Sequence, residues 1–221
     1  LFGLSQVLAD RTALEPGDPM GVDPAKDDLS FFPLLYWPID PSAPLPTSAT
    51  MARVDAYMRQ GGSVLFDTRD QLERSTNAGN FSGTPAAEYL RQMLSSLDIP
   101  PLEPVPADHV LTKAFYLLNE FPGRYTGGPL WVETTQNDAA HADRPATAGD
   151  GVSTILITEN DFASAWALDP DGRLIYPTVP TDPVQREMAF RTGVNIVMYT
   201  LTGNYKADQV HVPALLERLG Q

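Results

Sequence analysis

Thr154-Ile155-Leu156-Ile157-Thr158 is a run of β-branched and leucine residues with little polar alternation. Such a run reads as a strand covered on both faces, the habit of a sheet sandwiched between helices. A second strand, Ser63-Val64-Leu65-Phe66, follows the helix stop Gly61-Gly62. Outward from these two, helical spacing alternates with short apolar segments. Residues 3–12 put Leu4, Val7 and Leu8 on one helix face, and residues 50–60 do the same with Met51, Val54, Tyr57 and Met58. Residues 34–37 form a strand stopped by Pro38, and residues 130–134 add another. Residues 85–97 read as a helix with Pro85 in its permitted first turn. The four prolines of residues 100–106 indicate extended loop, residues 109–118 a helical turn and a strand, and residues 136–151 a polar surface loop or hairpin tip.

The terminal helix has a clear start: Asp182 to cap, Pro183 at the first position, Gln185 where a capping box wants Glu or Gln. Val184, Met188, Phe190, Val194, Val197, Met198 and Leu201 leave few polar positions, so this helix is buried, and Gly203 is expected to end it. Arg191, Asn195 and Tyr199 share one face, with Asn195 expected to bond backbone. Alternating helices and apolar strands specify an α/β domain with a parallel or mixed sheet, and one domain accounts for residues 1–221. A doubly wound fold opens on a strand, whereas this chain opens on a helix; a strand ahead of that helix is therefore expected.

Bulk composition excludes several functions. With 28 acidic and 15 basic residues the net charge is −13, and no Lys/Arg cluster offers a footprint for nucleic acid or anionic lipid. The absence of cysteine excludes thiol nucleophiles, thiolate zinc sites and disulfides. No phosphate-binding P-loop, dinucleotide-binding glycine pattern, nucleophile elbow or zinc-protease helix motif is present, and three scattered histidines have no metal-ligand spacing. No cofactor, metal or catalytic residue is indicated.

In open α/β sheets ligands bind beyond the carboxyl ends of the strands. Those ends deliver Tyr36 and Trp37, then Asp67, Thr68, Arg69 and Asp70, then Asn160 and Asp161 with Trp166 shortly after; His109 and Arg124 are added from the loops. Convergence on one rim would make a polar pocket with aromatic walls for a small polar ligand. The competing assignment has Asp67 and Asp161 capping the helices or turns that follow, with Arg69 paired to one of them. Asp108-His109 is a weak acid/base pair because adjacent residues rarely face one another, and Lys206, Asp208 and His211 are better employed at a helix end.

The segments Phe32–Pro38, Gly61–Asp70, Asp108–Leu111, Phe115–Leu117, Phe121–Arg124, Asn160–Ala163 and Gly193–His211 resemble a bacterial domain of unknown function, the 4159 family, over nearly the whole chain, and Gly203–His211 is the most specific part. That domain lies at the C-terminal end of large inner-membrane proteins whose N-terminal part resembles the BatA aerotolerance proteins. The resemblance implies a flavodoxin-like, class I glutamine-amidotransferase-like three-layer sandwich with a mostly parallel sheet, and a strand before the first helix. It implies tethering to the bacterial inner membrane, on the periplasmic side, with other regions of the parent protein or a membrane complex as partners. It does not carry glutaminase chemistry, which needs the cysteine this chain lacks. The expectation is therefore a non-catalytic ligand-binding or protein-interaction domain. The alternatives are a hydrolase or lyase using Asp67 or Asp70 with His109, and a purely structural module.

Overall fold

The computed structural model describes residues 1–73, 83–134 and 152–202 in full, and the helical path of 203–219. The element order is α1 (Phe2–Arg11), β1 (Leu34–Pro38), α2 (Ser48–Arg59), β2 (Ser63–Asp67), α3 (Pro85–Leu94), β3 (Leu102–Pro104), β4 (Trp131–Glu133), β5 (Ile155–Thr158), α4 (Phe162–Trp166) and α5 (Pro183–Leu219). Five strands form one open sheet in the order β1-β2-β5-β4-β3. β1–β2 and β2–β5 pair parallel, whereas β4 runs antiparallel to both β5 and β3. The sheet is thus mixed rather than mostly parallel. The difference arises in residues 100–106, expected as loop: Leu102–Pro104 pair with Trp131–Glu133 as an edge strand, where Pro101 and Pro104 need no inward N–H.

Alternation along the central strands divides the core between two faces. Val64, Phe66, Ile155 and Ile157 point to one side and meet Met51, Val54 and Met58 of α2 and Leu90, Met93 and Leu94 of α3. Leu65, Leu156 and Val132 point to the other and meet Leu4 and Leu8 of α1, Phe162 and Trp166 of α4, and Phe190, Val194 and Tyr199 of α5. Of the Thr154–Thr158 run expected to be covered on both faces, Ile155–Thr158 form the strand and are all buried, while Thr154 precedes it and is half-buried. Gly193 lets α1 and α4 close on α5: a Cβ there would lie 2.6 Å from Leu4 Cδ1 and 2.9 Å from the Trp166 ring.

α5 begins as its sequence indicates, with Asp182 Oδ1 accepting from the Val184 N–H at 2.8 Å. Gln185 forms no capping box; its amide donates instead to the carbonyls of Gly123 and Arg124. Gly203 does not end the helix, which continues to Leu219. A glycine weakens a helix by about 1 kcal/mol relative to alanine and stops it only where the following chain turns away. The side chains of Lys206, Asp208 and His211, and the segment 136–151, lie outside the described residues. Residues 109–118 contain a 3-10 turn, Val110–Lys113, but no strand, because their polar groups are satisfied by α5. Asn195 accepts from Tyr116 N–H at 2.7 Å and donates to the carbonyls of Leu111 and Tyr116. Arg191 lies over the Tyr116 ring, completing the shared face. Among the described residues no helix is long and apolar enough to cross a membrane.

Asn195 is fully buried and serves three backbone groups, so its loss strands all of them. Asn195→Ala is expected to lower the unfolding free energy by about 2–4 kcal/mol in urea titration. A loss within about 0.5 kcal/mol would contradict the bracket.

Candidate functional site

β2 ends on Asp67, a carboxylate with no solvent exposure that serves four donors. Its Oδ2 accepts from Phe162 N–H at 2.7 Å and Tyr36 O–H at 2.8 Å, and its Oδ1 from Arg69 N–H at 3.1 Å and Asp161 N–H at 3.2 Å. Asp67 therefore caps α4 from the neighbouring strand. The capping role foreseen for it is real, but the helix it caps lies 95 residues away in sequence rather than just after β2. Burial pushes the Asp67 carboxyl up to about 7, against the pull of the Phe162 and Tyr36 bonds. Burial, then the Asp67 charge, raises the Tyr36 phenol well above its ordinary value.

Asp161 stands at the N-cap position of α4 without making a side-chain cap bond. Its Oδ2 lies 3.6 Å from Arg124 Nη1, so its partner is Arg124 and not Arg69. Asp161 and Arg69 both adopt left-handed backbone, at φ 54° and 59°, and among the described residues no other non-glycine residue has positive φ. Asp70 is buried, accepting from Thr68 Oγ1 at 2.5 Å and from the Thr84 hydroxyl, which also caps α3 by accepting from Ala87 N–H. Asn160 is buried and ties the tip of β5 to the 121–130 loop by donating to the carbonyls of Phe121 and Gly128. Tyr125 N–H and Arg124 N–H donate back to the carbonyls of Asn160 and Asp161. Gly123 is required there, because a Cβ would lie 2.2 Å from the Asn160 carbonyl oxygen.

These constraints shape a cleft of about 470 Å³ at the carboxyl ends of β1, β2 and β5, with Thr68, Arg69, Asp70, Arg124 and Asp161 on its walls. Five of the eleven residues singled out from sequence thus line this cleft. The rest do not line it. Asp67, Tyr36 and Asn160 lie behind the wall and hold it in place. Trp37 packs on Phe66, and Trp166 is buried with its indole N–H bonded to the Ala189 carbonyl. His109 belongs to the opposite end of the sheet. Its ring packs 5.5 Å from Tyr199, whose hydroxyl accepts from Ser153 N–H, ahead of β5. The extended chain from Ser153 to Thr158 spans about 16 Å at roughly 3.3 Å per residue. Burial lowers the His109 pKa. The proposed pairing of His109 with Asp67 or Asp70 therefore has no geometry.

Three residues enter the site that the sequence did not single out. Tyr125 and Tyr176 line the cleft, and the Arg124 guanidinium carbon sits 5.4 Å from each ring centroid. Arg186 lies buried behind it and donates to the carbonyls of Ala165, Ser164 and Tyr176, closing the end of α4. The available signals were Arg124-Tyr125 adjacency and a lone arginine in the first turn of a largely apolar helix. Among the described residues no group of histidine, cysteine, aspartate or glutamate could hold a metal ion.

Residues 1–201 match the family described as domain of unknown function DUF4159, and the chain belongs to that family. The match covers the sheet and the helices on both faces and ends before Gly203, so the segment 203–211 contributes nothing to it. None of the curated proteins compared matches the chain.

Asp67 binds its proton more tightly folded than at the ordinary carboxyl value of 3.8. Its protonation therefore contributes stability that is full below about pH 4 and is lost as pH rises through about 7. Urea titrations of wild type and Asp67→Asn from pH 4 to 8 are expected to show a stability difference that declines across this window and then levels. A difference independent of pH would contradict the assignment.

Proposed function

We propose that this domain is a non-catalytic binding module whose ligand, a small polar molecule, occupies the cleft beyond β1, β2 and β5. The observation that carries the reading is backbone strain. Arg69 and Asp161, the two left-handed non-glycine residues among those described, face the same cleft. Each such conformation costs about 1–3 kcal/mol and persists only where the surroundings enforce it, commonly at ligand sites. Here the Asp67 carboxylate enforces both, by accepting the N–H of Arg69 and of Asp161.

A non-catalytic role is supported by how the acids are employed. Asp67 is committed to backbone N–H groups and Tyr36, and Asp70 to two threonines, while Asp161 faces Arg124 through Oδ2 at 3.6 Å and keeps Oδ1 buried without a hydrogen-bond partner. A general base needs a free lone pair within reach of a substrate proton, and His109 is a sheet length away. The family resemblance supports the wider setting: a flavodoxin-like, amidotransferase-like scaffold without its cysteine, tethered to the bacterial inner membrane on the periplasmic side and working with other regions of its parent protein.

Arg69→Gly removes the guanidinium and relieves the left-handed strain together, so the variant is expected to fold with an unchanged or higher Tm. In ¹H–¹⁵N NMR titrations against a panel of amino acids, sugars and organic acids, a binder should shift Thr68, Arg69, Arg124 and Tyr125 without being consumed. Arg69→Gly should weaken that binding at least about tenfold. Turnover of the bound compound, or shifts centred on His109, would overturn the reading.

A further inference from the structure

We propose that the ligand of this cleft carries an oxyanion, a carboxylate or phosphate, recognised by Arg69 and Arg124. The inference rests on the binding role argued above and adds the charge of what is bound.

A chain of net charge −13 has placed two guanidinium groups on one cleft of metabolite size. Arg69 uses one nitrogen, Nη2, to hold the Ile39 carbonyl at 2.6 Å. Among the described residues no carboxylate lies within ion-pair distance of it. Arg124 spends Nε on the Pro177 carbonyl at 3.2 Å, which fixes the plane of the group. Its contact with Asp161 at 3.6 Å is longer than a charge-assisted hydrogen bond of about 2.7–2.9 Å, so the Nη donors keep capacity for a planar acceptor. Guanidinium edges offer the parallel donors that carboxylate and phosphate oxygens accept.

The acids on the same walls do not cancel this. Asp70 already receives two threonine hydroxyls, Glu73 is exposed, where water and salt screen it, and Asp161 sets one charge beside Arg124 while Arg69 has no carboxylate within ion-pair distance among the described residues. Behind the wall the buried Arg186 donates to backbone carbonyls, and no carboxylate among the described residues pairs with it. The Arg124 charge acts on Arg186 in the same sense as burial, disfavouring its charged form. An anion at Arg124 relieves that repulsion. The first turn of α3, with Pro85 and Ala86 on the cleft wall, adds the positive end of a ten-residue helix.

The test is an NMR titration of the full chain with inorganic phosphate, succinate and the uncharged isostere succinamide. Saturable shifts at Arg69 and Arg124 are expected with phosphate or succinate, and the stronger of the two identifies the oxyanion. Succinamide should bind at least about tenfold more weakly. Arg69→Gln and Arg124→Gln should each weaken anion binding about tenfold or more, whereas Arg59→Gln, on α2 and paired with Asp55, should leave it unchanged. Arg69→Gln decides the question if Arg124→Gln disturbs its loop. Succinamide binding as tightly as succinate, or Arg59→Gln weakening binding equally, would overturn the inference while sparing the binding role. No saturable shift with any of the three would overturn the inference, and the binding role falls only if the wider panel of amino acids, sugars and organic acids gives none either.

Discussion

The Asp67 carboxylate is the point on which this end of the molecule depends. It joins the tip of β2 to the turn between β5 and α4 by accepting from Asp161 and Phe162, and it sets the reversed backbone at Arg69 in the same stroke. Tyr36 reaches it from β1, so three parallel strand ends converge on one acid. Burying a carboxyl without exposure is costly, and the cost is offset only because each oxygen receives two donors. The walls of the cleft follow from that arrangement. Arg69 is turned outward by its left-handed backbone, and Asp161 meets Arg124 because its own N–H is held from behind.

A second layer steadies the first. Asn160 and Gln185 fasten the 121–130 loop to β5 and to α5, and Arg186 closes α4 by serving its terminal carbonyls. These groups are buried, and their N–H donors reach backbone carbonyls, although Asn160 Oδ1 has no hydrogen-bond partner. The proposed recognition of a ligand rests on this rim, which carries two arginines and two tyrosines.

Much of this fold was legible in the residues. Thr154–Thr158 announced a strand covered on both faces, Ser63–Phe66 a second strand, and Asp182-Pro183 the start of the last helix. The placing of Thr68, Arg69, Asp70 and Asp161 on one cleft follows from the general rule about strand ends, whereas Arg124 comes to it from a loop. What escaped the sequence depends on contacts distant along the chain. β3 is too short and too rich in proline to read as a strand, and it exists because β4 pairs with it. Asp67 looks like the cap of a local turn until α4 is brought beside it. His109 next to Asp108 looks catalytic until α5 carries Tyr199 to the far end of the sheet. Gly203 misled because a glycine after an apolar run has the same appearance within a helix as at its end.

Amide hydrogen exchange at Phe162 tests the central claim most directly. If the Asp67 carboxylate caps α4, the Phe162 N–H exchanges as slowly as the amides of β2 and β5, although it opens a five-residue helix. In Asp67→Ala its protection should collapse while that of Leu65 and Leu156 largely persists. A Phe162 amide exchanging at the rate of an open turn in the wild-type protein, or keeping its protection in Asp67→Ala, would contradict the account.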